Sequence, residues 1–329
     1  MREISTVELG FDAEMPFRAY VMDNDDDWHA FRTKGIGGSD VAPIMGISKW
    51  RTPIEVWLER TGRDVPRDIS DNPNVHWGVV LESVIADEFA RRHPEFEVSE
   101  VKATLVSKAR PWAHANLDRR IKDGDGNWGV LEIKTARYDK DWKDGVPDYY
   151  LTQVTHYLSV TGWKFAYVAV LIGGSDYREY RIERDEGDIR MVDSMVDDFW
   201  KNYVVQGVMP QLIGLQAEAG PLAKAIGPGS EIGAPDDYAG FDELVRRYEE
   251  AGRQIEALKE SRAADGIRLR NLIGKRKALM SDVWKVTWVR GDKTRFDTRR
   301  FKKENPELAK AYETTSVYDG GLRVAEVMQ

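Results

Sequence analysis

The stretch ANLDRRIKDGDGNWGVLEIKTA, residues 115–136, decides the fold. Two β-like runs, Trp112–Lys122 and Trp128–Thr135, flank Asp123-Gly124-Asp125-Gly126-Asn127, a turn of hairpin composition. Antiparallel pairing of these runs brings Asp118 towards Glu132. Side chains alternate along a strand, so Glu132 and Lys134 leave the same face. Two neighbouring carboxylates repel unless a cation sits between them. Oxygen donors in a chain without cysteine suit a hard ion, Mg²⁺, with Mn²⁺ as its substitute. A lysine beside such a pair can polarise an attacking water or stabilise charge developing on phosphorus, which makes a phosphodiester the fitting substrate. The bare D-x13-E-x-K spacing also describes an exposed strand face carrying a surface ion pair, and the pattern alone leaves both readings open.

Working outward, the spacing predicts a helix opening at Trp28–Phe31, then Ser39-Asp40 capping Val41–Met45, then Ile54–Arg60 behind Pro53. Residues 63–76 read as a polar loop, and Gly78–Arg92 as a helix with Val80, Val84, Ile85 and Phe89 on its apolar stripe. Glu97–Val106 is a further β-like run. A helix at Pro147–Thr161 precedes a hairpin, Phe165–Ile172 with Asp176–Glu183, and a helix follows at Asp188–Val205. This order implies an α/β fold, a central mixed sheet flanked by helices, over residues 28–212. Residues 1–27 read as a loose arm. The Gly-, Ala- and Pro-rich stretch 213–237 reads as a linker, and 238–329 as a C-terminal extension. That extension holds a long helix, about 239–275, with Phe241, Leu244, Tyr248, Ile255 and Leu258 on one face. A hairpin of Trp284–Arg290 with Lys293–Asp297, a helix near 299–312 and a last β-like stretch complete it.

The 329 residues carry 11 Trp, 13 Tyr and 10 Phe, enough for a sizeable core. Without cysteine there are no disulfides, thiolate zinc sites or cysteine-held iron–sulfur clusters, which fits a reducing cytoplasm. No apolar run reaches membrane-spanning length and the N-terminus lacks an apolar signal segment. The net charge of -8 hides an asymmetry: residues 241–310 hold 19 Lys and Arg against 12 Asp and Glu. This segment is either a solvated helix face or a surface that tracks phosphates. His76, His114 and His156 read as incidental or core-polar, and Trp50, Trp57 and Trp77 as core.

Several blocks together resemble the YqaJ-type viral recombinase nucleases, the family that includes lambda exonuclease within the PD-(D/E)xK superfamily. They are WHAFR (28–32), IGGSD (36–40), ISKWRTPIEVWLERTG (47–62), WGVVLES (77–83), ANLDRRI (115–121), VLEIKTA (130–136) and QVTHYL (153–158). The resemblance implies the restriction-endonuclease-like fold, with Asp118 and Glu132 as metal ligands joined by the Ile133 carbonyl. It further implies Glu82 as a supporting acid, acting directly or through water, and Lys134 as the catalytic lysine. Gln153 and Tyr157 match the Q-x-x-x-Y helix motif of related nucleases. Arg32 and Ser39 match the pair that binds a terminal 5′-phosphate, with a structural ion pair to Asp40 as the other reading of Arg32; the third pocket position, a serine in lambda-type enzymes, is Asn116 here.

The implied function is a 5′-to-3′ exonuclease acting on double-stranded DNA ends, of phage or prophage origin in a bacterial host. It would leave 3′ single strands for a single-strand annealing protein in recombination. Lambda-type enzymes assemble as a ring of three subunits, which implies a homo-oligomer. An endonuclease or 3′-directed nuclease of the same superfamily, and a non-catalytic DNA-end-binding module, are the competing readings. The C-terminal extension either grips DNA or a partner, or oligomerises.

Overall fold

The computed structural model describes residues 1–11, 14–66, 69, 71–229 and 239–313. The chain divides at Gly227 into two compact units. In the first, strands β1 (Arg2–Ile4), β2 (Phe17–Val21), β4 (Thr104–Ser107) and β5 (His114–Ala115) form one sheet in that order. Strands β3 (Glu97–Ser99), β6 (Arg119–Lys122), β7 (Trp128–Ala136), β8 (Phe165–Ile172) and β9 (Asp176–Glu183) form the central sheet. Its β7–β8 pair is parallel and its other pairs are antiparallel, so the sheet is mixed as the sequence predicts.

Around the sheets lie α1 (Asp25–Arg32), α2 (Gly38–Ile44), α3 (Pro53–Arg60), α4 (Pro73–Arg92), α5 (Asp148–Thr161), α6 (Glu186–Asp198) and α7 (Ala219–Ile226). Strand β8 is apolar on both faces because helices cover both. Ala166, Val168 and Val170 pack with Val154, Tyr157 and Leu158 of α5. Phe165 and Ala169 pack with Ile85, Ala86 and Phe89 of α4. Strand β7 sits between the same layers: Val130 faces α5, and Leu131 and Ile133 face α4. Glu132 therefore points into the α5 side. Helix α5 ends at Gly162 with φ 71°, a left-handed turn that glycine adopts without Cβ strain.

Several predicted boundaries move. Residues 1–27 are no loose arm: β1 and β2 lie in the first sheet and Phe11 and Phe17 are buried against Trp163. Each such ring contributes about 1.5–3 kcal/mol of burial, which outweighs the polar composition around it. The Trp112–Lys122 run breaks at 116–118, where the chain leaves the first sheet for the central one. Asp118 therefore stands just before β6 rather than inside a strand. Helix α4 begins at Pro73, not Gly78, because Asn72 caps it by accepting from Asn74 N–H. Val80 and Val84 of its predicted stripe are exposed. Gly37, not Ser39-Asp40, caps α2; Asp40 reaches back to accept the Gly37 N–H at 3.0 Å.

The predicted linker is structured from 213 to 229. The Glu218 carboxylate accepts N–H bonds from Ile213, Gly214 and Leu215, and Leu222 and Ala225 of α7 pack with the cluster around Trp57 and Leu58. Residues 230–238 lie outside the described residues.

The second unit holds α8 (Phe241–Ile273), a hairpin of β10 (Ala278–Met280) and β11 (Lys285–Thr287), α9 (Thr298–Glu304) and α10 (Pro306–Ala311). The hairpin turns at Ser281, whose hydroxyl accepts from Val283 and Trp284 N–H, and not at Gly291-Asp292. Pro306 splits the predicted 299–312 helix in two. The last β-like stretch lies outside the described residues. Among them, no helix is long and apolar enough to cross a membrane.

Candidate active site

In the β6–β7 ladder Arg119 pairs with Leu131, so Asp118, one residue earlier, comes to the level of Glu132. Asp118 Oδ2 accepts the Ile133 N–H at 2.8 Å. Glu132 is 1% exposed; its Oε1 accepts from Lys134 Nζ at 2.5 Å and from Gln153 Nε2 at 2.7 Å. The same Gln153 amide donates to the Tyr157 hydroxyl at 2.9 Å. Gln153 and Tyr157 lie one turn apart on α5, which sets both over β7. The structure thus brings Asp118, Glu132, Lys134, Gln153 and Tyr157 together.

The electrostatics of this cluster are those of a site with an excess of anion. Burial, then the Glu132 charge, pushes the Asp118 carboxyl up to about 8. Burial alone would lower the Lys134 ammonium, but Glu132 and Asp118 outweigh it and hold the amine above its usual range. Burial and the same two carboxylates raise the Tyr157 phenol. Glu132 Oε2 is buried and accepts no hydrogen bond. An unpartnered buried carboxylate oxygen beside a carboxyl group forced towards protonation fits a divalent cation, and the donor set is all oxygen. Asp118, Glu132 and the Ile133 carbonyl are the groups that would hold it.

Glu82 is placed otherwise. Its carboxylate accepts from Arg119 at 2.7 Å, and the same guanidinium donates to the Asp118 carbonyl at 2.5 Å. Glu82 still adds to the raising of Asp118 but shares no bond with it. Among the described residues no three Asp, Glu, His or Cys side chains gather where a metal could sit.

Arg32, Ser39 and Asn116 converge on a separate cavity of about 110 Å³ that Tyr157 also lines. Arg32 donates to Ser39 Oγ at 3.2 Å and lies over the Trp28 ring. Thr104 Oγ1 donates to Asn116 Oδ1 at 2.7 Å. Arg32 also borders a cleft of about 1880 Å³ whose lining includes Asp118, Lys134, Glu82, Trp50 and Trp77. Trp50 and Trp77 are exposed, against the core role predicted for them, whereas Trp57 is buried. Trp50 meets Tyr149 edge-on at 5.0 Å, and Tyr150, next to it, lies under Lys134 Nζ at 4.8 Å.

Sequence reasoning offered an Arg32–Asp40 ion pair and missed that Arg51 and Arg60 join it. Asp40, fully buried, contacts Arg32 at 3.6 Å and Arg51 at 2.8 Å, and bonds Arg60 as well. Burial opposes its charge, but the three guanidinium groups hold Asp40 well below the usual carboxylate range. The irregular spacing of 40, 51 and 60 carries no periodic signal that could have revealed the other two arginines. His114 and His156, also buried, are pushed down to about 4 chiefly by burial; they are neutral core groups, as predicted.

A family model described as the YqaJ-like viral recombinase domain matches residues 27–164. Uncharacterized protein YqaJ of Bacillus subtilis (strain 168) is 35% identical over 295 residues, 86% of this chain and 89% of that protein. Among solved structures, the alkaline exonuclease LHK-Exo of Laribacter hongkongensis is similar at 20% identity and a TM-score of 0.46, covering 56% of this chain and 94% of that one. A phage-related exonuclease of Haemophilus somnus 129PT is similar at 10% identity and a TM-score of 0.38, covering 54% and 97%. With 35% identity sustained over most of both chains, this protein belongs to the YqaJ-like viral recombinase family.

Proposed function

We propose that the chain is a metal-dependent exodeoxyribonuclease of the PD-(D/E)xK superfamily, digesting one strand of linear duplex DNA from its 5′ end. The observation that carries this reading is Glu132: a buried carboxylate with one oxygen fixed by Lys134 and Gln153 and the other without a partner, beside an Asp118 that burial and Glu132 disfavour as an anion. Mg²⁺ or Mn²⁺ bound there would supply positive charge to the scissile phosphate and make water more acidic. Lys134 keeps its proton and offers a cation to charge developing on phosphorus. Gln153 fixes the rotamer of Glu132, and Tyr157 fixes Gln153. Arg32, Ser39 and Asn116 would take the terminal phosphate in their cavity while the duplex lies along the adjoining cleft. The 5′-to-3′ direction, the ring of three subunits and the annealing-protein partner follow from the resemblance to lambda-type enzymes.

Incubation with 5′-phosphorylated linear duplex and with closed circles, in Mg²⁺ or in EDTA, tests the proposal. Mononucleotides released from linear DNA only, and only with Mg²⁺, are the expected result. Nicked circles would make it an endonuclease, release from 3′-labelled ends a 3′-directed enzyme, and binding without cleavage an end-binding module. Lys134→Ala should abolish release while leaving the melting temperature within a few degrees; near-normal turnover would remove that residue from the chemistry.

A further inference from the structure

Arg119 has no part in the nuclease reading, yet its side chain reaches the site. In the β6–β7 ladder it stands opposite Leu131, and directly opposed residues of an antiparallel pair share a face. Leu131 packs with Ile85, Ala86 and Phe89 of α4, so Arg119 leaves the sheet on the α4 side, whereas Glu132 meets Gln153 of α5 on the other. There the guanidinium faces three oxygens. Glu82 Oε1 accepts from it at 2.7 Å, the Asp118 carbonyl accepts at 2.5 Å, and Glu100 Oε1 lies at 3.7 Å. The Arg119 side chain is only 11% exposed, so this is not a loose surface pair that solvent and salt screen away.

Two carboxylates and a carbonyl are donors that a hard cation would also take, and here a guanidinium stands among them. A second divalent ion beside the first needs further carboxylate oxygens to share and to close its shell. Much of that supply is already engaged: Glu132 Oε1 by Lys134 and Gln153, Asp118 Oδ2 by the Ile133 N–H, and Glu82 by Arg119. Charge leads to the same count. Asp118 and Glu132 against Lys134 leave one formal negative charge when all are ionised, and Glu82 with Arg119 adds none. One divalent ion makes the site positive towards a phosphate. A second would add two more positive charges while Glu82, the nearest carboxylate to answer them, is already neutralised by Arg119.

We propose that Arg119 is a built-in cation standing where a second metal ion would: it holds Glu82 and limits the Asp118–Glu132 site to one divalent ion. The inference rests on the metal-dependent reading of that carboxyl pair. Its test counts ions rather than turnover. Full-length protein is titrated with Mn²⁺, free ion is followed by electron paramagnetic resonance, and ions bound elsewhere are subtracted as those that Asp118→Asn retains. The wild type should then hold one Mn²⁺ per chain. Arg119→Gln should hold two, because Glu82, Glu100 and the Asp118 carbonyl then face a space without positive charge. Arg119→Lys, which keeps the charge, should hold one, and Arg119→Gln combined with Glu82→Gln should return to one. A wild type or Arg119→Lys protein that holds two ions overturns the proposal and leaves the nuclease reading standing. So does an Arg119→Gln protein that melts near the wild-type temperature and still holds one. Should Arg119→Gln fail to fold, the counts on the wild type and Arg119→Lys decide the matter by the same rule. A wild type that holds no more Mn²⁺ than Asp118→Asn overturns the metal reading itself, and this inference with it.

Discussion

At the residue scale the site pairs two carboxyl groups, Asp118 and Glu132, with one amine, Lys134. Asp118 titrates near 8 in the folded chain because burial and Glu132 disfavour its anion. A carboxyl group whose folded pKa lies above its unfolded value stabilises the fold fully below about pH 4, and that stability is lost as pH rises through about 8. A shift of this size corresponds to a penalty on the order of 5 kcal/mol for the ionised, metal-free site at alkaline pH. Mg²⁺ or Mn²⁺ should therefore raise the melting temperature by several degrees at pH 9 and by much less at pH 6. Asp118→Asn in EDTA at pH 9 should melt above the wild type and no longer respond to either ion. A calorimetric scan in which the ions leave both proteins unchanged would remove the metal from this pair. Arg32 makes a narrower claim. Its guanidinium borders the small cavity with Ser39 while Asp40 holds it at 3.6 Å. A charge-assisted phosphate contact contributes about 1.5–3 kcal/mol. Arg32→Ala should thus cut the preference for 5′-phosphate over 5′-hydroxyl ends by roughly 10- to 100-fold. Equal slowing on both ends would make Arg32 a structural partner of Asp40 alone.

Elements matter here through how closely two of them approach. Helix α2 meets α5 at Gly38, where a Cβ would lie 2.5 Å from Tyr157 Cε1 and 3.0 Å from Gln153 Cγ. Gly38→Ala must push α2 away from the helix that holds Glu132, at a cost of about 1–3 kcal/mol. Turnover and melting temperature should fall together. Gly220→Ala on α7, whose Cβ would meet nothing within 4 Å, should match or exceed the wild type in stability. If Gly38→Ala behaved like this control, the packing account of the IGGSD block would be wrong. That block was legible only as a resemblance, since nothing in its composition announces a helix contact. The β6–β7 hairpin was legible outright, because strand alternation and the DGDGN turn agree. The crossing between sheets at 116–118 was not, because the β-like alternation of Trp112–Lys122 runs through it unbroken. Polar composition likewise hid Phe11 and Phe17 in the predicted arm, and Gly, Ala and Pro hid α7 in the predicted linker. In each case a few buried side chains outweighed the local average. Of the candidate site, the carboxyl pair with its lysine followed from register. The Arg119 hold on Glu82 and the Arg51 and Arg60 contacts to Asp40 depend on contacts between distant segments, which no local spacing encodes.

For the whole molecule the proposed substrate sets a charge problem: an acidic chain would have to hold a polyanion. The net charge of -8 would repel duplex DNA if it were spread evenly, yet residues 241–310 carry seven more basic than acidic side chains. Binding through phosphate contacts releases counterions, so affinity falls with salt in proportion to the number of phosphates neutralised. A chain ending at Gly227 keeps the first unit, with its carboxyl pair, its cavity and its cleft, and loses that basic segment. If the segment tracks phosphates, this shortened chain should bind linear duplex more weakly at 50 mM salt and show a shallower slope of log affinity against log salt. Each lost phosphate contact should remove about 0.9 from the slope. Cleavage at saturating DNA should persist, because Asp118, Glu132 and Lys134 all lie in the first unit. Fluorescence anisotropy over a salt series measures the slope in Ca²⁺ or EDTA, where binding is followed without turnover. An unchanged slope would assign the basic residues to a solvated helix face and leave DNA affinity to the cleft.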